Sequence, residues 1–197
     1  MMMANQPSAG MGSDRGQSGD MKEAKVGLTQ RTDLGPIALS NGMFHLYATD
    51  RPYFEIEEHH LDQRFACNDN SGYCLVAIGG EHPDATVSVQ IGSPPSPAEL
   101  KADGCKLALR LPLEVSSGEL FIEGADDDVS AKIPNGCYWL AVAQKMVGEN
   151  AQQIDVWLEP DASFTKEELT SPEKVMLVFD EERPSNIVRR AELVELD

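Results

Sequence analysis

The stretch Leu111-Pro-Leu-Glu-Val-Ser-Ser-Gly-Glu-Leu-Phe-Ile-Glu-Gly124, continued by Ala125-Asp-Asp-Asp-Val-Ser-Ala-Lys-Ile-Pro-Asn-Gly-Cys-Tyr-Trp-Leu-Ala-Val142, decides the fold class. Apolar residues alternate with polar ones in short runs. The runs are punctuated by Ser-Gly, Gly-Ala-Asp and Asn-Gly, which favour tight reversals of the chain. The segment reads as four short strands joined by turns, with Asp126, Asp127 and Asp128 together on one connection.

The same grammar extends outward. Tyr73–Gly79 and Ala85–Ile91 read as strands, and the second alternates with period two. Ser93-Pro-Pro-Ser-Pro97 cannot lie inside a sheet, because proline lacks the N–H that a ladder needs, so it marks a connection. Further strands are expected at Cys105–Val115, Glu119–Glu123, Val129–Ile133, Cys137–Gln144 and Gln152–Glu159. In the last, Ile154, Val156 and Leu158 share one face and Trp157 takes the other. Upstream, Ile37–Ala48 reads as strand with a turn signal at Asn41-Gly42, while periodicity leaves Tyr53–Phe65 open between strand and helical turn. The expectation is an all-β chain, an antiparallel β-sandwich of seven or eight strands.

Residues 1–33 lack hydrophobic periodicity and are expected to be a disordered tail, with the sandwich over 34–159. Residues 160–197 form a small mixed extension, either packed on the sandwich or acting as an arm. Within it, Ser163 or Thr165 suits a helix N-cap, Val175–Phe179 suits a strand, and Ser185–Leu196 fits strand or helix.

The chain has 197 residues and a formal charge of −17. Residues 1–30 hold three acids (Asp14, Asp20, Glu23) and three bases (Arg15, Lys22, Lys25), so the whole excess belongs to the remainder. Such a field repels nucleic acid and acidic membranes and attracts a basic partner, although acidity also serves plain solubility. No apolar run reaches the roughly 18 residues of a membrane span, and no secretory signal opens the sequence; a cytoplasmic location is expected. The four cysteines, Cys67, Cys74, Cys105 and Cys137, contain no C-x-x-C pair and are read as free thiols.

Residues 38–159 resemble the competence protein J family, the inhibitors of the DNA-entry nuclease. The resemblance rests on an early strand from Leu39 to Tyr47, the strand Tyr73–Gly79, and the succession Leu109–Val115, Ser117–Glu123, Lys132–Leu140, closed by Ile154–Leu158. The long N-terminal tail and the C-terminal extension depart from that pattern. The resemblance implies a non-catalytic inhibitor or immunity-type protein whose partner is basic, a nuclease or another toxin, with no cofactor.

Several residue groups invite a chemical reading. Asp126–Asp128 suits a phosphate-mimicking contact, a calcium loop or a solvated turn. Glu55 and Glu57 share a face if their segment is extended, and Asp180 with Glu182 forms a second acidic cluster; all four are candidate partner contacts. His59 with Cys67 or Cys74 lacks the repeated ligand spacing of a structural zinc site. Cys137 lies in a strand without a neighbouring histidine and reads as a buried structural thiol. No phosphate loop, dinucleotide fingerprint, nucleophile elbow or His-Glu-x-x-His motif is present. An assembly or ligand-binding module, with or without calcium, is the alternative to an inhibitor, and an enzyme with scattered carboxylates is a third reading.

Overall fold

Alternation between inward apolar and outward polar side chains builds two sheets that face each other. The structure, a computed structural model, describes residues 31–39, 41–48, 64–68, 72–79, 84–163 and 175–184. Six strands form one sheet in the order β1 (Thr32–Ala38), β5 (Asp84–Ile91), β10 (Ala151–Pro160), β9 (Gly136–Met146), β6 (Leu107–Val115) and β11 (Met176–Asp180). Five form the other, in the order β3 (Phe65–Asn68), β4 (Gly72–Val76), β2 (Met43–Tyr47), β7 (Glu119–Glu123) and β8 (Asp128–Lys132).

The all-β, two-sheet expectation holds. The described residues hold eleven strands rather than seven or eight. The run Ile37–Ala48 is split, because Asn41 (φ 52°) and Gly42 (φ 69°) turn the chain between β1 and β2, which lie in different sheets. Pairing is antiparallel except between β5 and β10, which run parallel. That exception follows from strand order: β10 leaves the β9 hairpin and enters the sheet beside a strand made some sixty residues earlier.

The core is built from the inner faces. Ile154, Val156 and Leu158 of β10, Leu107, Leu109, Leu111 and Leu113 of β6, and Phe44, Leu46, Leu75, Leu120 and Ile122 of the facing sheet are all buried in one cluster. Full burial of such a side chain contributes about 1.5–3 kcal/mol, so this layer is the main source of stability. Trp157 lies on the opposite face of β10, in a separate cluster with Leu100, Ala108, Ala141, Ala143 and Phe179.

That second cluster exists because a short helix, α1 (Pro97–Ala102), covers the outer face of the six-stranded sheet and buries Leu100. Ser96 caps it: its side chain accepts from the Glu99 N–H, and the Glu99 carboxylate accepts from the Ser96 N–H. Proline at the first helical position needs no donor there. Pro112 lies within β6 at no cost to the ladder on its outer side, since β11 pairs with β6 only as far as Arg110. The Pro112 carbonyl instead accepts from the Tyr73 hydroxyl of the facing sheet.

Candidate partner-binding surface

The β7–β8 hairpin determines where Asp126–Asp128 stand. Glu119 pairs with Lys132 and Glu123 with Asp128, leaving residues 124–127 as the loop. The Gly124 N–H donates to the Asp127 carbonyl at 2.8 Å, closing the reversal. The loop is also tied to the other sheet: the Ala125 N–H donates to the Ala38 carbonyl at 2.6 Å. Gly124 approaches so closely that a Cβ there would stand 2.0 Å from the Ala38 oxygen, so only glycine fits.

This pinned tip presents Asp126, Asp127 and Asp128 to solvent; all three are exposed. None of them has an ion-pair partner among the described residues. Unpaired surface carboxylates keep their full field for an incoming molecule. Along the hairpin, Glu119 is held by Lys132 at 2.8 Å and by Ser130 at 2.7 Å. Those two bonds pull the Glu119 carboxyl below its usual range. Glu123 receives the Tyr47 hydroxyl at 3.3 Å, and the Tyr47 ring stacks on Phe121 at 5.3 Å.

The second acidic cluster is divided by the fold. Asp180 does not reach solvent: it is 2% exposed, and Arg64 donates to it from Nε at 2.8 Å and from Nη2 at 3.2 Å. An uncompensated charge cannot be buried at this depth, so Asp180 is a structural partner of Arg64 rather than an outward contact. Its Oδ1 also accepts the N–H groups of Glu182 and Arg183, which fixes the turn after β11. Glu182 is partly exposed and takes a further bond from Arg64 at 2.9 Å. Burial opposes the Arg64 charge, but the bonds and charges of Asp180 and Glu182 outweigh it and hold the guanidinium above its usual pKa. Arg64 itself has φ 67° and adds a bond to the Ala77 carbonyl, so one side chain joins the β3–β4 region to the β11 edge. Glu55 and Glu57 lie outside the described residues, as do His59 and Thr165.

Cys74, Cys105 and Cys137 are not poised for chemistry, since burial raises the pKa of each. Burial pushes Cys74 up to about 11, and its sulfur lies 3.9 Å from that of Met43. Cys137 is half-buried rather than buried; burial, then the charges of Glu114 and Asp161, raise its pKa. Among the described residues no group of three or more His, Cys, Asp or Glu is arranged to hold a metal ion. No helix among them is long and apolar enough to cross a membrane.

Sequence reasoning missed the Arg64–Asp180 pair, whose members lie 116 residues apart and carry no local signal. It also missed α1 and the Trp157 cluster beneath it. There a signal exists: Ser96-Pro-Ala-Glu99 has the Ser-x-x-Glu spacing of a capping box.

The chain is similar in fold to the crystal structure of ComJ, inhibitor of the DNA degrading activity of NucA, from Bacillus subtilis, with a TM-score of 0.53 and 15% identity. The match covers 67% of this chain and 99% of that one. A second solved structure, Crocagin biosynthetic gene J, aligns with a TM-score of 0.40 at 12% identity, over 65% of this chain and 97% of that one. No family model and no curated protein matches the chain.

Proposed function

We propose that this protein is a non-catalytic inhibitor that binds a basic partner, a nuclease, and covers its nucleic-acid groove with an acidic surface. The observation that carries this reading is the hairpin tip: three exposed, unpaired aspartates on a loop fixed by the Ala125 bond to Ala38, in a chain of charge −17. A nuclease groove is lined to receive phosphates, so closely spaced carboxylates on a rigid support meet the same cations. Rigidity matters because a pre-formed loop loses little entropy on docking. The fold likeness to an inhibitor of a DNA-degrading nuclease adds support and is the motive for naming a nuclease.

Glu182 is a secondary contact in this reading, since part of its carboxylate remains open. Asp180 has no place in it, and Glu55 and Glu57 remain candidates from the sequence.

The test is inhibition of a purified basic nuclease, beginning with one encoded beside this protein. The triple variant Asp126→Asn, Asp127→Asn, Asp128→Asn is expected to weaken inhibition at least tenfold through slower association, with an unchanged melting temperature. Inhibition unaffected by the triple variant would remove the hairpin from the interface. Failure to inhibit any nuclease tested would end the reading itself.

A further inference from the structure

The outer face of the six-stranded sheet carries a cleft that the inhibitor reading does not use, with a volume of about 210 Å³. Strand register explains its floor. Trp157 of β10 pairs with Ala141 of β9, and Ala141 pairs with Arg110 of β6, so two long side chains flank a single methyl group. Neighbouring strands lie about 4.8 Å apart, which leaves about 10 Å between the main chains that carry Trp157 and Arg110. In the next row Ala143 pairs with Ala108, and the floor continues in alanine. Leu100 of α1 and Met176 of β11 stand among the walls.

The polar side chains of this lining are of one kind. Trp157 is 7% exposed and its Nε1 has no acceptor; the Nε of Arg110 has none either. Both are donors, and none of the described lining residues carries a side-chain oxygen. Buried N–H groups are nearly always paired, so what the cleft lacks is an acceptor.

The charges around it are balanced and engaged. Arg110 bonds to Glu159, Lys101 stands over the Phe179 ring, and Glu99 is taken up in the cap of α1. Together they leave no surplus of either sign to draw in an ion, and the chain's charge of −17 opposes an anion. A neutral acceptor fits where neither a cation nor a carboxylate does.

We propose that this cleft binds a small neutral molecule with a compact apolar body and one carbonyl oxygen. The body lies on Ala141 and Ala143 against Leu100, and the oxygen accepts from the Trp157 indole N–H. The volume is below the roughly 300–1,000 Å³ of sites for drug-sized ligands. With the roughly 30 Å³ of a water molecule as a yardstick, it has room for about seven to nine non-hydrogen atoms. Neither donor is open to water in the closed cleft, so the half-exposed, flexible Met176 side chain turns aside as the ligand enters. The site is on a different sheet from the Asp126–Asp128 hairpin, and its test requires no nuclease.

The chain has two tryptophans, so its 1H–15N spectrum contains two indole N–H signals, and Trp157→Phe assigns them. Three probes of one size separate the possibilities. Acetophenone has the ring and a carbonyl, ethylbenzene has the ring without oxygen, and benzoate has oxygen with a charge. Acetophenone is expected to move the Trp157 indole signal saturably, and more than the Trp139 signal. Ethylbenzene and benzoate should each bind at least fivefold more weakly, the first for want of the hydrogen bond and the second through the cost of burying its charge. Ala141→Leu, which fills the floor, should abolish the acetophenone response while both indole signals persist in the free protein. Absence of a saturable Trp157 shift with acetophenone overturns the proposal. Equal binding of ethylbenzene removes the role of the indole donor and overturns it, and equal or tighter binding of benzoate overturns the neutral class. A shift of the Trp157 signal on deleting residues 1–30, with no probe present, would give the cleft to this chain's own N-terminal segment and overturn it too.

Discussion

At the scale of single residues, the acidic tip depends on a missing methyl group. Gly124→Ala places a carbon against the Ala38 carbonyl, and backbone cannot yield as a flexible side chain does. The expected cost is about 1–3 kcal/mol, read as a lower urea midpoint with unchanged slope. Cys74 gives a pH prediction. Its folded pKa of about 11 lies above the ordinary thiol value of 9.0, so the folded state holds the proton longer than the unfolded chain. Stability is unaffected below pH 9 and declines between pH 9 and 11, by about 2–3 kcal/mol in all at 1.36 kcal/mol per unit. Cys74→Ala should flatten that alkaline limb in denaturant titrations; an unchanged limb would mean that Cys74 does not set it. At this scale the sequence was readable wherever alternation was strict: Trp157 could be assigned to the face opposite Ile154, Val156 and Leu158 from the pattern alone. Asp180 was not readable, because the acidic neighbours Glu181 and Glu182 give it the look of a surface turn while its partner sits 116 residues upstream.

At the scale of elements, β11 is a five-residue edge strand that pairs with β6 through an irregular register. Short edge strands are held weakly by their ladder alone, and here Arg64 supplies a second attachment from the opposite sheet. Removing one member of a buried ion pair leaves the other uncompensated, at about 3–5 kcal/mol. Asp180→Asn keeps the size and some hydrogen bonding, and Glu182 stays near Arg64, so the lower end is expected. Amide hydrogen exchange should quicken at Met176–Asp180 well before β9 or β10 responds; a uniform increase would show that β11 unfolds only with the whole. β3 was illegible for a related reason. Phe65–Asn68 is too short for alternation to register, and its strand character comes from pairing with β4 rather than from its own composition. α1 was overlooked because the prolines at 94, 95 and 97 dominate the reading, although proline at a helix start is favourable.

At the scale of the whole molecule, the charge of −17 should make capture of a basic partner strongly dependent on salt. Between 0.05 and 0.5 M sodium chloride the association rate is expected to fall roughly tenfold or more, while dissociation changes little. Stopped-flow measurement checks this, and a salt-insensitive association rate would contradict electrostatic steering. The strand order of the six-stranded sheet bears on how the chain is made. β10 separates β5 from β9, and β1 joins only through β5, so half of this sheet has no continuous ladder until residues 151–160 exist. Contacts between distant segments form slowly, because the intervening loop must first be closed. On the ribosome, a nascent chain that stops short of β10 therefore exposes the apolar faces of β5 and β9 without the strand that bridges them. The six-stranded ladder therefore cannot close until β10 has been made, however early its other strands form.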